Sequence, residues 1–324
     1  MKEKSRIACF AVLLAIGVGG LSPLAADPSP AVRLGVLKGP SGIGMIYLFE
    51  NAPRLSSGAK LETALVASAD LMVPKLVSGE YSMAVLPVNM AAKLRESGVP
   101  IELAAIVGNG MVKFLSSDDS IVDLASLKGK EIYVAGQGAT PDYLLRTLLK
   151  SAGLDPSADL KLSYSMPYPE MAAAVASGKI SSAVLPEPFA TVALKANPKL
   201  RTALDLGKLW TKATGQDSYP MTALVVSSKF AASDPRSVRN ILAAVRSSIA
   251  KVQADPAAAA ALVEKHDFGL KAAVAREAIP RSAYVYETAA QARPAVEALL
   301  KVFLELAPAS VGGTLPDDGF YAAF

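Results

Sequence analysis

The 324-residue sequence predicts an α/β protein of two similar lobes, each a mostly parallel sheet flanked by helices, joined by two chain crossings. Three observations lead there. Residues 72–92 (MVPKLVSGEYSMAVLPVNMAA) and 171–191 (MAAAVASGKISSAVLPEPFAT) match at a shift of 99, through Met72/Met171, Ser78/Ser177, Gly79/Gly178, Ser82/Ser181, Ala84–Pro87/Ala183–Pro186 and Ala91/Ala190. Each copy reads as a helix stopped by a glycine suited to the left-handed residue past a helix end. A short apolar strand follows, closed by a proline that has no N–H for a sheet ladder. A glycine-rich turn precedes each copy, with 40 residues from Gly39 to Gly79 and 42 from Gly136 to Gly178. Helical and strand patterns alternate throughout at α/β spacing.

The first 26 residues read as an export leader. Lys2, Lys4 and Arg6 form a basic start, Ile7–Val18 is an apolar run of 12 residues, and Leu24-Ala25-Ala26 offers small residues for cleavage before Asp27. The run falls short of the roughly 20 residues that span a bilayer. The 298 residues left after cleavage exceed what one core usually serves, which favours two lobes. Cys9, the single cysteine, sits inside the apolar run and not at the cleavage point, so a lipid-modified cysteine is not expected. Cleavage would leave no thiol for disulfides, thiolate metal sites or nucleophilic catalysis. The net charge of +4 falls to +2 without Lys2, Lys4, Arg6 and Glu3. That is too mild to point to nucleic acid or an anionic membrane.

Along the chain, Val32–Leu37 reads as the first strand, Lys38–Gly44 as a glycine turn and Met45–Asn51 as the helix it opens. Leu61–Ala67 is a second strand, Leu71–Val77 the helix and Met83–Leu86 the strand of the first repeat copy, then helix Met90–Arg95 and strand Ile101–Val107. Phe114–Ser120 reads as a crossing into the second lobe. There, strand Glu131–Ala135 leads to the turn Gly136-Gln137-Gly138-Ala139. Thr140 as N-cap and Pro141 at the first helical position announce a helix with Leu144, Leu145, Leu148 and Leu149 on one face. Strand Leu160–Tyr164 and the second repeat copy follow, and Gly215–Pro220 is the second crossing. Strand Met221–Ser227 and helices Val238–Gln253, Pro256–Glu264 and Ala289–Leu306 complete the chain. The expected division is 1–26 leader, 27–115 with 221–324 in lobe 1, and 116–220 in lobe 2.

In open α/β sheets ligands bind beyond the carboxyl ends of the strands, so the candidates lie on those rims. The turns around Ser41 and Gly42, and around Gly138, Ala139 and Thr140, offer amides without intrahelical partners at the positive end of a helix dipole. The alternative reading is a pair of ordinary βα turns. Neither turn is a nucleotide motif, since Met45-Ile46 stand where a phosphate loop needs lysine and serine or threonine. Asn89 and Glu187 follow the matched prolines and are expected to oppose each other. Asn109 and Tyr219 lie near the crossings. An interlobe salt bridge is the competing role for Glu187, and a turn position that for Asn109. His266, the single histidine, supports neither a metal cage nor a catalytic triad.

The residues that carry these features resemble the two-lobed type II periplasmic substrate-binding proteins of ATP-binding-cassette (ABC) importers, in the nitrate, sulfonate/taurine, bicarbonate and thiamine-precursor group. The resemblance rests on Lys38–Gly44, SGEYSMAVLP, Leu127-Lys128-Gly129-Lys130-Glu131-Ile132, Gly136–Thr140, Leu185-Pro186-Glu187-Pro188-Phe189 and the closing Leu315–Tyr321. It implies a periplasmic, non-enzymatic protein without cofactor, which closes its lobes on a small molecule; a monomer is the default expectation. That molecule would pass to a membrane permease driven by a cytoplasmic ATPase. It implies ligand contacts from Ser41, Gly42, Asn89, Asn109, Gly138, Thr140 and Glu187. Only Lys38 brings a positive charge to these loops, which favours a neutral or weakly charged organic ligand over a sulfonate. Two other roles remain open on this architecture: an enzyme resembling pyrimidine synthases or chorismate dehydratases, and a sensor subunit of a membrane receptor.

Overall fold

The computed structural model describes residues 31–134 and 136–324, so the expected leader, Cys9 and Ala135 lie outside the described residues. The chain begins β1 (Arg33–Leu37), α1 (Pro40–Gly44), α2 (Tyr47–Glu50), β2 (Glu62–Val66), α3 (Ala69–Val77), β3 (Met83–Pro87), α4 (Val88–Glu96) and β4 (Ile101–Asn109). It continues through β5 (Val112–Ser116), β6 (Glu131–Val134), α5 (Thr140–Ser151), β7 (Lys161–Ser163), α6 (Tyr168–Ala176), β8 (Ser182–Pro186), α7 (Phe189–Ala196), β9 (Arg201–Leu204) and α8 (Leu206–Thr214). The last part holds β10 (Pro220–Ser227), α9 (Ser228–Ser233), α10 (Pro235–Ala254), α11 (Pro256–Lys265), α12 (Ala272–Ala278), β11 (Tyr284–Thr288) and α13 (Ala289–Leu306).

One sheet has the order β11-β4-β10-β3-β1-β2 and the other β7-β6-β8-β5-β9. Apart from β11 the two orders correspond strand for strand, with β1 matching β6 and β3 matching β8. The repeat seen in the sequence is the β3 and β8 pair with its preceding helix. Gly79 and Gly178, at φ +78 and +76, occupy the left-handed positions just past α3 and α6.

The sheets are mixed and not mostly parallel. β1 is parallel to β2 and β3, and β6 to β7 and β8. β10 is antiparallel to β3 and β4, β11 to β4, and β5 to β8 and β9. The reason is topological. β5 follows β4 of the other sheet after two residues and β10 follows α8 of the other lobe, so each enters its sheet at the rim and not through a crossover from a strand of its own sheet, as a parallel neighbour requires.

The first crossing is Gly110-Met111, ahead of the expected Phe114–Ser120, because Phe114, Leu115 and Ser116 are buried strand residues of β5 paired with β8 and β9. The second is the stretch Gly215–Tyr219 between α8 and β10. The two run side by side: Gly110 N–H donates to the Tyr219 carbonyl at 3.1 Å. Gly110 is left-handed at φ +48, and a Cβ there would lie 3.0 Å from Ser218 Oγ, so a side chain would push the crossings apart.

Two helix starts differ from expectation. Pro40, whose fixed φ suits the first helical position, opens α1, so the turn is only Lys38-Gly39. Thr140 is the first residue of α5, with extended Ala139 in the cap position and no side-chain cap bond. β9, α8, α12 and β11 were not anticipated. Where caps exist they are polar and local. Asp205, Asp234 and Asp255 accept first-turn amides of α8, α10 and α11, and Thr288 with Gln291 forms a capping box on α13. One apolar cluster packs α10 and α11 on the first sheet, another packs α6 and α7 on the second, and a third runs through both lobes from Leu86 to Phe114 and Phe303.

Candidate functional site

Strand direction brings the two rims together. β4 ends at Asn109 and β5 begins at Val112, so the rims face each other within about 11 Å at the crossing. Val112 pairs with Pro186, and Glu187 N–H donates to the Met111 carbonyl at 3.0 Å, which sets Glu187 against the first crossing. Pro87 and Gly108 both pair with Thr222, so Asn89 and Asn109 share one rim.

The lobes touch on both sides of this gap. On one side Asn89, 3% exposed, donates through Nδ2 to the Gly138 carbonyl at 3.1 Å and to the Ser310 carbonyl at 3.4 Å. Tyr143 of α5 packs beside it on Phe303 of α13, ring centroids 5.1 Å apart. On the other side α7 meets the C-terminal region: Lys195 pairs with Glu277, and Arg281 Nη1 donates to Thr191 Oγ1 at 3.4 Å.

Polar atoms without partners are enclosed between these contacts. The Thr140 hydroxyl, in a residue 1% exposed, and Asn89 Oδ1 are buried and make no hydrogen bond among the described residues. Asn109 Oδ1 is likewise unpartnered, while its Nδ2 donates to Glu287 Oε1 at 3.3 Å. The Tyr284 hydroxyl is a further buried group without a partner. Its ring lies 3.1 Å from where a Cβ on Gly44 would sit, which ties α1 to this group. Buried polar atoms are nearly always hydrogen-bonded; Asn89, Asn109, Thr140 and Tyr284 share the exception with Thr63, Trp210, Tyr219 and Tyr321, and stand at or next to strand ends and helix starts on the two rims.

Glu187, 1% exposed, does not oppose Asn89. It folds onto its own helix, where Oε2 accepts Thr191 N–H at 3.0 Å and Thr191 Oγ1–H at 2.7 Å. Burial pushes its carboxyl above the usual range, against the pull of the Thr191 hydrogen bonds and of nearby Lys113 and Arg281. Ser41 and Gly42 are buried in α1. A Cβ on Gly42 would lie 2.4 Å from the Leu37 carbonyl oxygen and 2.7 Å from Phe268, so only glycine fits. Gly138, left-handed at φ +74, gives its carbonyl to Asn89 and its amide to Asp142 Oδ2 at 2.9 Å. Tyr219 is placed elsewhere. Fully buried and edge-on to Trp210 at 5.6 Å, it is a core residue of the crossing.

Half-buried Tyr168 and Phe189, each opening a helix after a strand of the second sheet, stack at 5.5 Å with rings 28° apart. The Tyr168 hydroxyl lies 3.4 Å from a Cβ position on Gly136, which puts the pair beside the glycine turn. Burial pushes the Tyr168 phenol up to about 12. Asp142, Tyr284, Arg281 and Ser310 were not anticipated. An acid in the first turn of α5 was a readable sign for Asp142. The other three lie in the C-terminal region, which has no repeat counterpart. Among the described residues no group of three or more His, Cys, Asp and Glu side chains is placed to hold a metal, and no helix is long and apolar enough to cross a membrane.

Comparison with solved structures places this geometry in a known fold. An ABC transporter structure from Parabacteroides distasonis superposes with a TM-score of 0.78 at 30% identity, covering 91% of this chain and 99% of that one. The periplasmic aliphatic sulphonate binding protein SsuA from Escherichia coli gives 0.71 at 19%, covering 88% and 96%. The periplasmic nitrate-binding protein NrtA from Synechocystis PCC 6803 gives 0.60 at 18%, covering 76% and 68%. No curated protein sequence matches the chain. The architecture is the type II periplasmic-binding-protein fold. The profile of the NMT1-like family matches residues 25–265, and the protein belongs to that family.

Proposed function

We propose that the protein is the periplasmic solute-binding component of an ABC uptake system. It captures a small organic molecule between two closing lobes, acts as a monomer without chemical turnover, and hands the molecule to a membrane permease. The observation that carries this reading is the set of buried, unpartnered polar atoms, Asn89 Oδ1, Asn109 Oδ1, Thr140 Oγ1 and Tyr284 OH, on rims that touch at both sides. A preorganised polar lining gives affinity at low ordering cost. The paired crossings at Gly110 and Ser218 form a hinge that permits closure and limits twist. Family membership and the fold shared with an ABC transporter structure support the assignment.

The test combines two measurements on the exported protein. Denaturing mass spectrometry gives the mass of the mature chain, and the native spectrum gives that of any retained solute. X-ray scattering with and without that solute is expected to show a smaller radius of gyration in the complex. A solute that binds at these residues with no change in scattering would overturn lobe closure.

A further inference from the structure

The solute's chemical class can be argued from how the amino end of α5 is already occupied, on the premise that the cleft binds a solute. A helix start of this kind favours anions, through free amides and the dipole behind them. Here the chain supplies its own anion. Asp142 is 3% exposed, accepts Gly138 N–H through Oδ2 at 2.9 Å, and is held through Oδ1 by Arg146 Nε at 2.7 Å and the Tyr164 hydroxyl at 2.6 Å. Arg146 Nη2 also donates to the Tyr164 oxygen at 2.7 Å, so the carboxylate is locked in place and its cation is spent on it.

The side-chain amide atoms left for a solute are of one kind. Asn89 uses Nδ2 on two carbonyls, and Asn109 uses Nδ2 on Glu287. Those donations fix both amide orientations, so the unpartnered atoms, Asn89 Oδ1 and Asn109 Oδ1, are acceptors. The Thr140 hydroxyl, one helical residue before Pro141 on the same α5 start, is buried and without a partner, so it can accept or donate. Lys38, the basic residue of the glycine turns, is exposed and lies along Gly269 beyond α11.

We infer that Asp142 is a specificity-determining residue, a built-in anion that closes the amino end of α5 to oxyanions, so that the solute group resting there is uncharged or cationic and donates hydrogen bonds. A sulfonate or nitrate would meet a fixed carboxylate and two acceptor oxygens. An amine, amide or amidine nitrogen would satisfy them. Asp142 positions the Gly136–Thr140 turn and acts on the solute through its charge.

The test is a titration of the purified protein with ethanesulfonate and with nitrate by calorimetry, in wild type, Asp142→Asn and Asp142→Ala. The wild type is expected to bind neither. Asp142→Ala frees the Gly138 amide and Arg146 together, and is expected to gain at least about tenfold in ethanesulfonate affinity. Asp142→Asn, whose one amide oxygen can still accept from the Gly138 amide while the charge and the acceptor for Arg146 and Tyr164 are lost, gains less. A gain of binding is not something a merely loosened turn would produce, and Asp142→Asn keeps the test decisive should the alanine variant fail to fold. Ethanesulfonate binding to wild type would overturn the inference while leaving solute binding intact. Equal absence of binding in all three proteins would also overturn it, because the carboxylate would then not be what excludes the anion. Failure of the solute-binding reading itself would register separately, in the native mass spectrum.

Discussion

Replacing Asn89 by alanine removes the side-chain hydrogen bond that joins the two rims at the start of α5. Of its two donations, the 3.4 Å contact to Ser310 stays within the C-terminal side of the first lobe. The 3.1 Å bond to the Gly138 carbonyl spans the lobes and exists only when they are shut. A neutral amide–carbonyl bond is worth about 0.5–1.5 kcal/mol net. At about 1 kcal/mol its loss lowers the closed-to-open ratio roughly fivefold. The part-buried Gly138 carbonyl recovers water when the lobes part, whereas the buried Ser310 carbonyl loses a partner inside the first lobe, so the substitution also lowers that lobe's melting temperature. The chain's single cysteine, Cys9, lies in the expected leader, so cysteines placed at exposed Ser57 and Lys179 give a clean pair of spin labels, one per lobe. Pulsed electron resonance on Asn89→Ala should show the ratio of short- to long-distance populations reduced by that factor, with the short distance unchanged in position. An unaltered distance distribution would refute the clasp. A shifted short distance would mean that Asn89 shapes the closed geometry and does not set its population.

Other substitutions separate ligand contacts from scaffold. Thr140→Val deletes a buried hydroxyl that has no partner, so the melting temperature should hold or rise while solute affinity drops about two- to tenfold; a loss of stability instead would assign the hydroxyl to the fold. Tyr219→Phe should leave binding unchanged within error, since Tyr219 is a core residue beside Trp210; weakened binding would return Tyr219 to the site. Gly42→Ala forces a Cβ to 2.4 Å from the Leu37 carbonyl and should cost about 1–3 kcal/mol in denaturant unfolding. Glu187→Gln tests the buried carboxyl. Because burial raises its folded pKa, the native state binds the proton more tightly, and stability is lost as pH rises through that value. The variant should therefore melt above wild type at pH 8 and converge with it below about pH 4.3, as followed by calorimetry across pH. An offset independent of pH would rule out ionisation as the cause.

Much of the scaffold was legible because its signals are local. A glycine past a helix end, a proline after an apolar strand and alternating periodicities act over a few residues, so the repeat around Gly79 and Gly178 announced β3 and β8 and thereby two equivalent sheets. The same logic located α13. What failed was non-local. β9 is four residues long and β11 joins an edge, so neither carries enough pattern to be seen. The direction of β5 and β10 depends on where the chain comes from, not on their own residues.

The site divides the same way. That Asn89, Thr140 and Glu187 stand beyond strand ends, and Asn109 at one, follows from local punctuation such as the prolines and glycines around them. Which of them keep free polar atoms was decided only when the lobes were brought together. Folding gave Asn89 a partner across the gap and turned Glu187 onto Thr191. It sank Tyr219 into the core and used Asp142 to fill the helix terminus that the glycine turn had opened. Hydrogen-bond satisfaction belongs to the assembled neighbourhood of an atom, and residues far apart in the chain supply most of that neighbourhood.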